Sequence, residues 1–274
     1  MDVIKAAAIQ MDSQNDKEKN LEVAETLIRD AKNEGADLVT LPEYFNFIGE
    51  EDEEEANAEN IEDGKTVRFL SELAKELNIW VQGGSILELT DEKNKYYNTT
   101  LMFNPKGEVV GKYRKIHLFD ADVNDGPSFL ESNTKKSGKE IVTVDALNTK
   151  IGMSICFDIR FPELYRLQAL RGAEIFLVSA EFTLYTGKDH WEPLLRARAI
   201  ENQGYVIAPG QIGNKPGFQS YGKSMIIDPW GNVVATSPDN VGVIVANLDM
   251  NYLRRIRKEL PSLKNRQPAA YNLS

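Results

Sequence analysis

The chain has 274 residues, 42% of them hydrophobic, a formal net charge of −10 at pH 7 and a single cysteine. This length fits one large α/β domain, since such architectures run to about 250 residues, and a lone thiol permits no intramolecular disulfide, which points to a reducing, cytoplasmic setting. Nothing in the charge balance favours a nucleic-acid partner, no run approaches the ~18 apolar residues of a membrane span, and the start MDVIKAAAIQ reads as carrying no secretory leader.

Residues 3–10 form a buried strand, and Leu21 to Ala31 a helix with Leu21, Ala24, Leu27 and Ile28 on one face. Gly35 ends that helix, and the strand Ala36 to Pro42 delivers Glu43 at its tip. Between Glu50 and Asp63 lie nine acids and no Lys or Arg, so the remainder of the chain is nearly neutral. This run reads as a solvated surface loop, because no glycine turn organises it as a cation site. A helix (Val67 to Leu77), a strand (Ile79 to Gly83) and a hairpin follow, the hairpin turning at Asn104-Pro-Lys-Gly107 and running on to Lys115. Residues 119–140 are polar and predict an ordered loop with little regular structure. The sequons at Asn98 and Asn272 are chance matches in a cytoplasmic protein.

The second half repeats this order. A strand leading to Cys156 is followed by a helix opened by Pro162 and closed by Gly172, then by a strand from Ile175 to Val178. A helix from Trp191 to Gln203 leads to the strand Tyr205 to Ala208, and the hairpin Met225 to Val234 echoes Leu101 to Val110. Two β-α-β-α-β-β halves, about 1–118 and 141–249, predict two mixed sheets packed face to face with helices outside. That is a four-layer α-β-β-α sandwich over 1–274 as one domain. Residues 250–274 add a helix and a polar tail, and the six basic groups of 254–266 suit a surface or subunit-contact helix.

Cys156 stands where a buried strand turns sharply into a helix, the setting of a nucleophile elbow; the alternative is a small core residue, which free Cys often is. Glu43 and Cys156 lie at C-terminal strand ends and Lys115 just beyond a hairpin strand, on the rim where sheet proteins place sites. The three types make a hydrolytic set. Cysteine attacks a carbonyl carbon to give a thioester, glutamate moves protons, and lysine with a backbone N–H, that of Phe157, holds the oxyanion. Spacing alone does not select Lys115 over Lys112 or Arg114, and His117 and His190 compete as the base. One cysteine and two histidines without metal-ligand spacing imply no zinc, and no glycine-rich nucleotide loop is present, so no cofactor is expected.

The segments Leu41-Pro-Glu-Tyr-Phe45, Gly111-Lys-Tyr-Arg-Lys-Ile-His-Leu-Phe-Asp120 and Ser154-Ile-Cys-Phe-Asp-Ile-Arg-Phe-Pro-Glu-Leu164 resemble the nitrilase superfamily of carbon–nitrogen hydrolases. The resemblance implies a Glu–Lys–Cys set at Glu43, Lys115 and Cys156, the same sandwich, and a homodimer. It favours Lys115 over its neighbours, demotes both histidines, and makes Glu131 a positioning residue. Thr186 to Glu192, Leu194 to Asn202 and Asn251 to Arg257 resemble the Nit amidase branch. That branch implies hydrolysis of a small linear carboxamide, an ω-amide of an α-keto acid or of deaminated-glutathione type, to carboxylate and ammonia. Arg160, Arg196 and Arg198 are then the candidates for a distal substrate carboxylate. Two departures fall in pocket-forming loops: Ser179-Ala-Glu-Phe182 replaces the branch's Pro-Ser-Ala-Phe, and Asp120 to Gly126 replaces Asp-x-Asp-x-Pro-Gly. The alternatives are a nitrilase or N-carbamoyl hydrolase, or a non-catalytic, redox-sensing relative.

Overall fold

Strand β1 (Val3–Gln10) sends Ile4, Ala6 and Ala8 into one core and Ala7 and Ile9 into another, so both of its faces are covered. The computed structural model describes residues 2–122 and 128–270. In chain order, β1 is followed by α1 (Lys17–Asn33), β2 (Leu38–Thr40), α2 (Glu54–Asn57), α3 (Lys65–Leu77) and the strands β3 (Trp80–Gln82), β4 (Ile86–Leu89), β5 (Tyr96–Phe103) and β6 (Val109–Arg114). A small hairpin, β7 (Asp120–Asp122) and β8 (Ser128–Leu130), precedes β9 (Thr143–Ala146), β10 (Thr149–Ile155), α4 (Pro162–Leu170), β11 (Ile175–Ser179), α5 (Leu184–Asn202) and β12 (Tyr205–Ala208). The chain closes with β13 (Ile212–Lys215), β14 (Phe218–Tyr221), β15 (Met225–Ile227), β16 (Val233–Thr236), β17 (Gly242–Asp249) and α6 (Met250–Glu259).

The two main sheets are built alike. β1, β2 and β3 run parallel, β5 pairs antiparallel with β3, and β6 with β5. In the second sheet β10, β11 and β12 run parallel, β15 pairs antiparallel with β12, and β16 with β15. Ile4, Ala8, Leu38 and Met102 of the first sheet share one core with Met153, Ile155, Leu177 and Ile207 of the second. The outer face of the first sheet packs on Leu21, Ala24 and Ile28 of α1 and Leu70 and Leu73 of α3, while Leu164 of α4 and Trp191 and Leu195 of α5 cover the second. The expected α-β-β-α layering is thus the one observed.

Local chemistry sets the element ends. Asp16 caps α1 by accepting from the Lys19 N–H at 3.1 Å, and Pro162 occupies the first turn of α4. Helix α5 starts earlier than the expected Trp191, because Thr183 caps it. Its Gly187 lies so close to the Tyr221 ring that an added Cβ would stand 2.5 Å from it, which lets the extra turns settle on β14.

Several expectations change. Residues 119–140, expected as an ordered loop with little regular structure, hold two three-residue strands, β7 and β8, and a 3-10 turn at Glu131–Asn133. The last strand, β17, leaves the second half and pairs antiparallel with β1 along its whole length, from Val3 opposite Asp249 to Gln10 opposite Gly242. The acidic run is not simply solvated. Glu59 is buried, accepting from Thr66 N–H at 2.7 Å and Lys17 Nζ at 2.9 Å, and Glu54 pairs with Lys135 Nζ at 2.5 Å. Burial of these two acids is offset by lysines from elements distant in sequence. Basic helix α6 turns Arg257 inward, where it donates to the carbonyls of Gln203 and Ala173. Val123–Gly126 of the noted loop departure, the Asn272 sequon and the end of the polar tail lie outside the described residues.

Candidate active site

At the C-terminal end of β10 the backbone of Cys156 takes φ +46°, a left-handed conformation that costs a non-glycine residue about 1–3 kcal/mol. Asp158, fully buried, holds this elbow: its Oδ2 accepts from Ile155 N–H at 2.9 Å and from the Tyr113 hydroxyl at 2.6 Å. The strained turn brings Cys156 to the wall of a cavity of about 470 Å³ that Glu43, Lys115, Glu131 and Glu181 also line. A second strained residue, Tyr44 at φ +52°, follows Glu43 directly.

Lys115 Nζ stands 3.0 Å from Glu43 Oε1 and 2.9 Å from Glu131 Oε2. The lysine and Glu43 side chains are 3% and 2% exposed, so this is an almost dry cluster. Glu43 is further fixed by Asn98 Nδ2 at 2.8 Å and by the Glu181 backbone N–H at 2.7 Å. Glu131 accepts from Phe119 N–H at 2.6 Å and from the Tyr44 hydroxyl at 3.2 Å. Burial works against the charge on Lys115, but the Glu131 and Glu43 carboxylates outweigh it and hold the ammonium well above its usual pKa. Glu131, also buried, is drawn below the usual carboxylate value by Lys115. Burial and then the Glu43 charge push the Cys156 thiol up, with Lys115 opposing. The cluster therefore combines a protonated thiol, an adjacent carboxylate and a fixed positive charge.

Phe157, next after the cysteine, is half-buried, with its ring centroid 4.9 Å from that of Phe119. The two histidines are committed elsewhere. His117 Nδ1 lies 2.7 Å from Asp158 Oδ1 with its ring stacked on Phe161, and His190 meets Arg160 at 3.3 Å; neither lines the cavity. Of the arginines, Arg198 donates to the Ile159 carbonyl and to Glu201, and Arg196 to the Gly231 carbonyl and Glu192, so both serve the helix packing. The Arg160 guanidinium lies over the Phe157 and Phe182 rings, outside the cavity lining. No group of His, Cys, Asp and Glu among the described residues is arranged to hold a metal ion.

Sequence reasoning missed Asn98, Tyr44 and, above all, Glu181. That carboxyl is pushed up to about 8 by burial and by the neighbouring Glu43 charge, and its Oε1 is buried without a hydrogen-bond partner. The one available signal was the departure at Ser179-Ala-Glu-Phe182.

Comparison with known proteins agrees with the fold. The profile of the family described as Carbon-nitrogen hydrolase matches residues 5–258. A deaminated glutathione amidase of Synechocystis sp. is 42% identical over 265 residues, covering 95% of this chain and 97% of that protein. The omega-amidase NIT2 of Mus musculus is 38% identical over 274 residues, covering 100% and 98%. The crystal structure of the C. elegans NitFhit protein superimposes with a TM-score of 0.91 at 37% identity, covering all of this chain and 67% of that one.

Proposed function

The chain belongs to the carbon–nitrogen hydrolase, or nitrilase, superfamily, and on that footing we propose that it is a cysteine-dependent amidase converting a small linear carboxamide to a carboxylate and ammonia. The observation that carries this reading is Lys115 Nζ held between Glu43 and Glu131 in the cavity that Cys156 lines from a strained elbow.

In this mechanism Glu43 takes the thiol proton as Cys156 Sγ attacks the amide carbon, since burial keeps the resting sulfur protonated. The resulting oxyanion is held by Lys115 Nζ and the Phe157 backbone N–H, groups preorganised in a dry site where their charge acts strongly. Glu43 then gives its proton to the leaving nitrogen, the C–N bond breaks and ammonia departs, leaving a thioester on Cys156. Water, deprotonated by the same carboxylate, attacks the thioester. The collapse releases the acid and returns the proton to sulfur. Glu131 acts as a positioning residue: its two contacts to Nζ, at 2.9 and 3.1 Å, keep Lys115 charged and aimed.

The relatives' names make deaminated glutathione and an ω-amide the reference substrates for the first assay. Ammonia release that needs Cys156 supports the reading. Release of carbon dioxide as well would move it to an N-carbamoyl hydrolase, and absence of turnover on any amide or nitrile would remove it. We further propose a homodimer. Exposed Leu167, Leu170 and Ile200 lie on α4 and α5, helices that touch each other, and offer an apolar face; light scattering of the purified chain tests this.

A further inference from the structure

Among the described residues six glutamates line the cavity (Glu43, Glu50, Glu51, Glu54, Glu131 and Glu181) against two lysines, with no arginine. Both lysines are already engaged, Lys115 by Glu43 and Glu131 and Lys135 by Glu54. Lys215, the first cation in the charge environment of Glu181, is wholly buried at its side chain and donates to Asp12 Oδ1 and the Ser13 carbonyl, each at 2.7 Å. Residues 123–127, Val-Asn-Asp-Gly-Pro, contain no base. A substrate carboxylate entering this cavity meets a negative field in which the lining cations have been spent.

Glu181 stands apart from the other acids. Glu54 Oε2 and Glu181 Oε1 are both buried with no partner, but Glu43, Glu54 and Glu131 each accept from a lysine through another oxygen, whereas no lysine donates to Glu181. A buried, unpaired acceptor is a standing cost that a ligand bringing donors removes. We propose that Glu181 is a specificity-determining residue that receives an ammonium group at the far end of the substrate, so that the preferred substrates are short carboxamides bearing a remote amine. The inference rests on the amidase reading and names its substrate class. At pH 7 Glu181 is largely the neutral acid, because burial and Glu43 raise it to about 8. An arriving ammonium draws off that proton to solvent and forms a buried ion pair.

The test is a matched series of primary carboxamides: aminovaleramide with a remote ammonium, valeramide with a methyl group, and glutaramate with a carboxylate. Wild-type kcat/KM should run in that order, with aminovaleramide favoured over valeramide by about tenfold or more, and Glu181→Gln should lower that ratio by a similar factor through KM. A wild-type preference for glutaramate overturns the proposal without any variant. So does a ratio unchanged in both Glu181→Gln and Glu181→Ala. Valeramide carries no remote charge, so its Cys156-dependent hydrolysis reports the amidase reading separately. If none of the three turns over while deaminated glutathione is hydrolysed with Cys156 dependence, the remote-amine substrate class falls and the amidase reading stands.

Discussion

Glu181 donates its backbone N–H to Glu43 Oε2 at 2.7 Å while its own carboxyl is raised by the Glu43 charge. One residue thus steadies the proposed proton acceptor through its main chain and is perturbed by it through its side chain. The groups that bear on that carboxyl are Glu43, Lys215, Lys115 and Glu131.

A stability measurement follows from that perturbation. The ordinary carboxyl value is 4.5 and the folded value about 8, so between those pH values the folded protein holds a proton that the unfolded chain has released. Stability from this group is therefore present below pH 4.5 and is lost as pH rises toward 8. Glu181→Gln carries no such proton. Its melting temperature relative to wild type should climb between pH 5 and 8.5, by ~2 °C or more given the usual 2–4 °C per kcal/mol. Parallel melting curves across that range would show that the two states hold the proton equally.

Alkylation of Cys156 by iodoacetamide should be slow at pH 7 and accelerate about tenfold per pH unit above it, because only the thiolate reacts and burial with Glu43 favours the thiol. Lys115→Met removes the opposing charge and should shift the profile to still higher pH. A rate already at its plateau by pH 7 would mean a resting thiolate, and Glu43 would lose its role in activating sulfur.

Replacing Lys115 by Met should lower kcat on the order of 10²-fold or more through the lost oxyanion contact. It should also destabilise the fold by about 3–5 kcal/mol, since Glu43 and Glu131 are left facing each other in a dry site. Glu131→Gln keeps one acceptor oxygen, enough for Phe119 N–H or the Tyr44 hydroxyl but not both, and should still lose less on both counts because a neutral amide leaves no second buried charge. Urea melts and single-turnover rates on the two variants measure this, and near-normal turnover in Lys115→Met would end the assignment.

The histidine variants separate this site from a Cys–His hydrolase. His190→Ala should keep turnover within about threefold, and His117→Ala, which deletes the ring contact to buried Asp158, should cost ~1–3 kcal/mol of stability instead. Loss of turnover in both variants with their folds intact would reinstate a histidine base.

Much of this architecture is written locally. Pro162 and Gly172 bracket α4, and the matched Asn-Pro-x-Gly-type hairpins mark the two halves because turn chemistry needs those residues at those positions. The pairings that build the site are another matter. The 55-residue separation of Asn98 from Glu43, and the 138-residue separation of Glu181 from Glu43, leave no periodic trace. Glu59 and Glu54 sit in a run whose composition says solvent, and only the placement of Lys17 and Lys135 opposite them makes burial tolerable. The choice of Lys115 over Lys112 likewise depended on the family resemblance. In the structure it is the β6 end at Arg114 that leaves Lys115 to point inward, 2% exposed, while Lys112 stays at the surface.

Because β17 seals one edge of β1, the ribosome exposes the consequences of that pairing during synthesis. The first strand emerges at once, but its outer row of backbone donors and acceptors stays unanswered until Gly242–Asp249 leaves the exit tunnel. Throughout that interval the nascent chain carries an open, apolar strand edge able to recruit a neighbouring polypeptide. Truncations that stop after β16 should carry the same hazard permanently and collect as aggregates, however complete the Cys156 elbow within them.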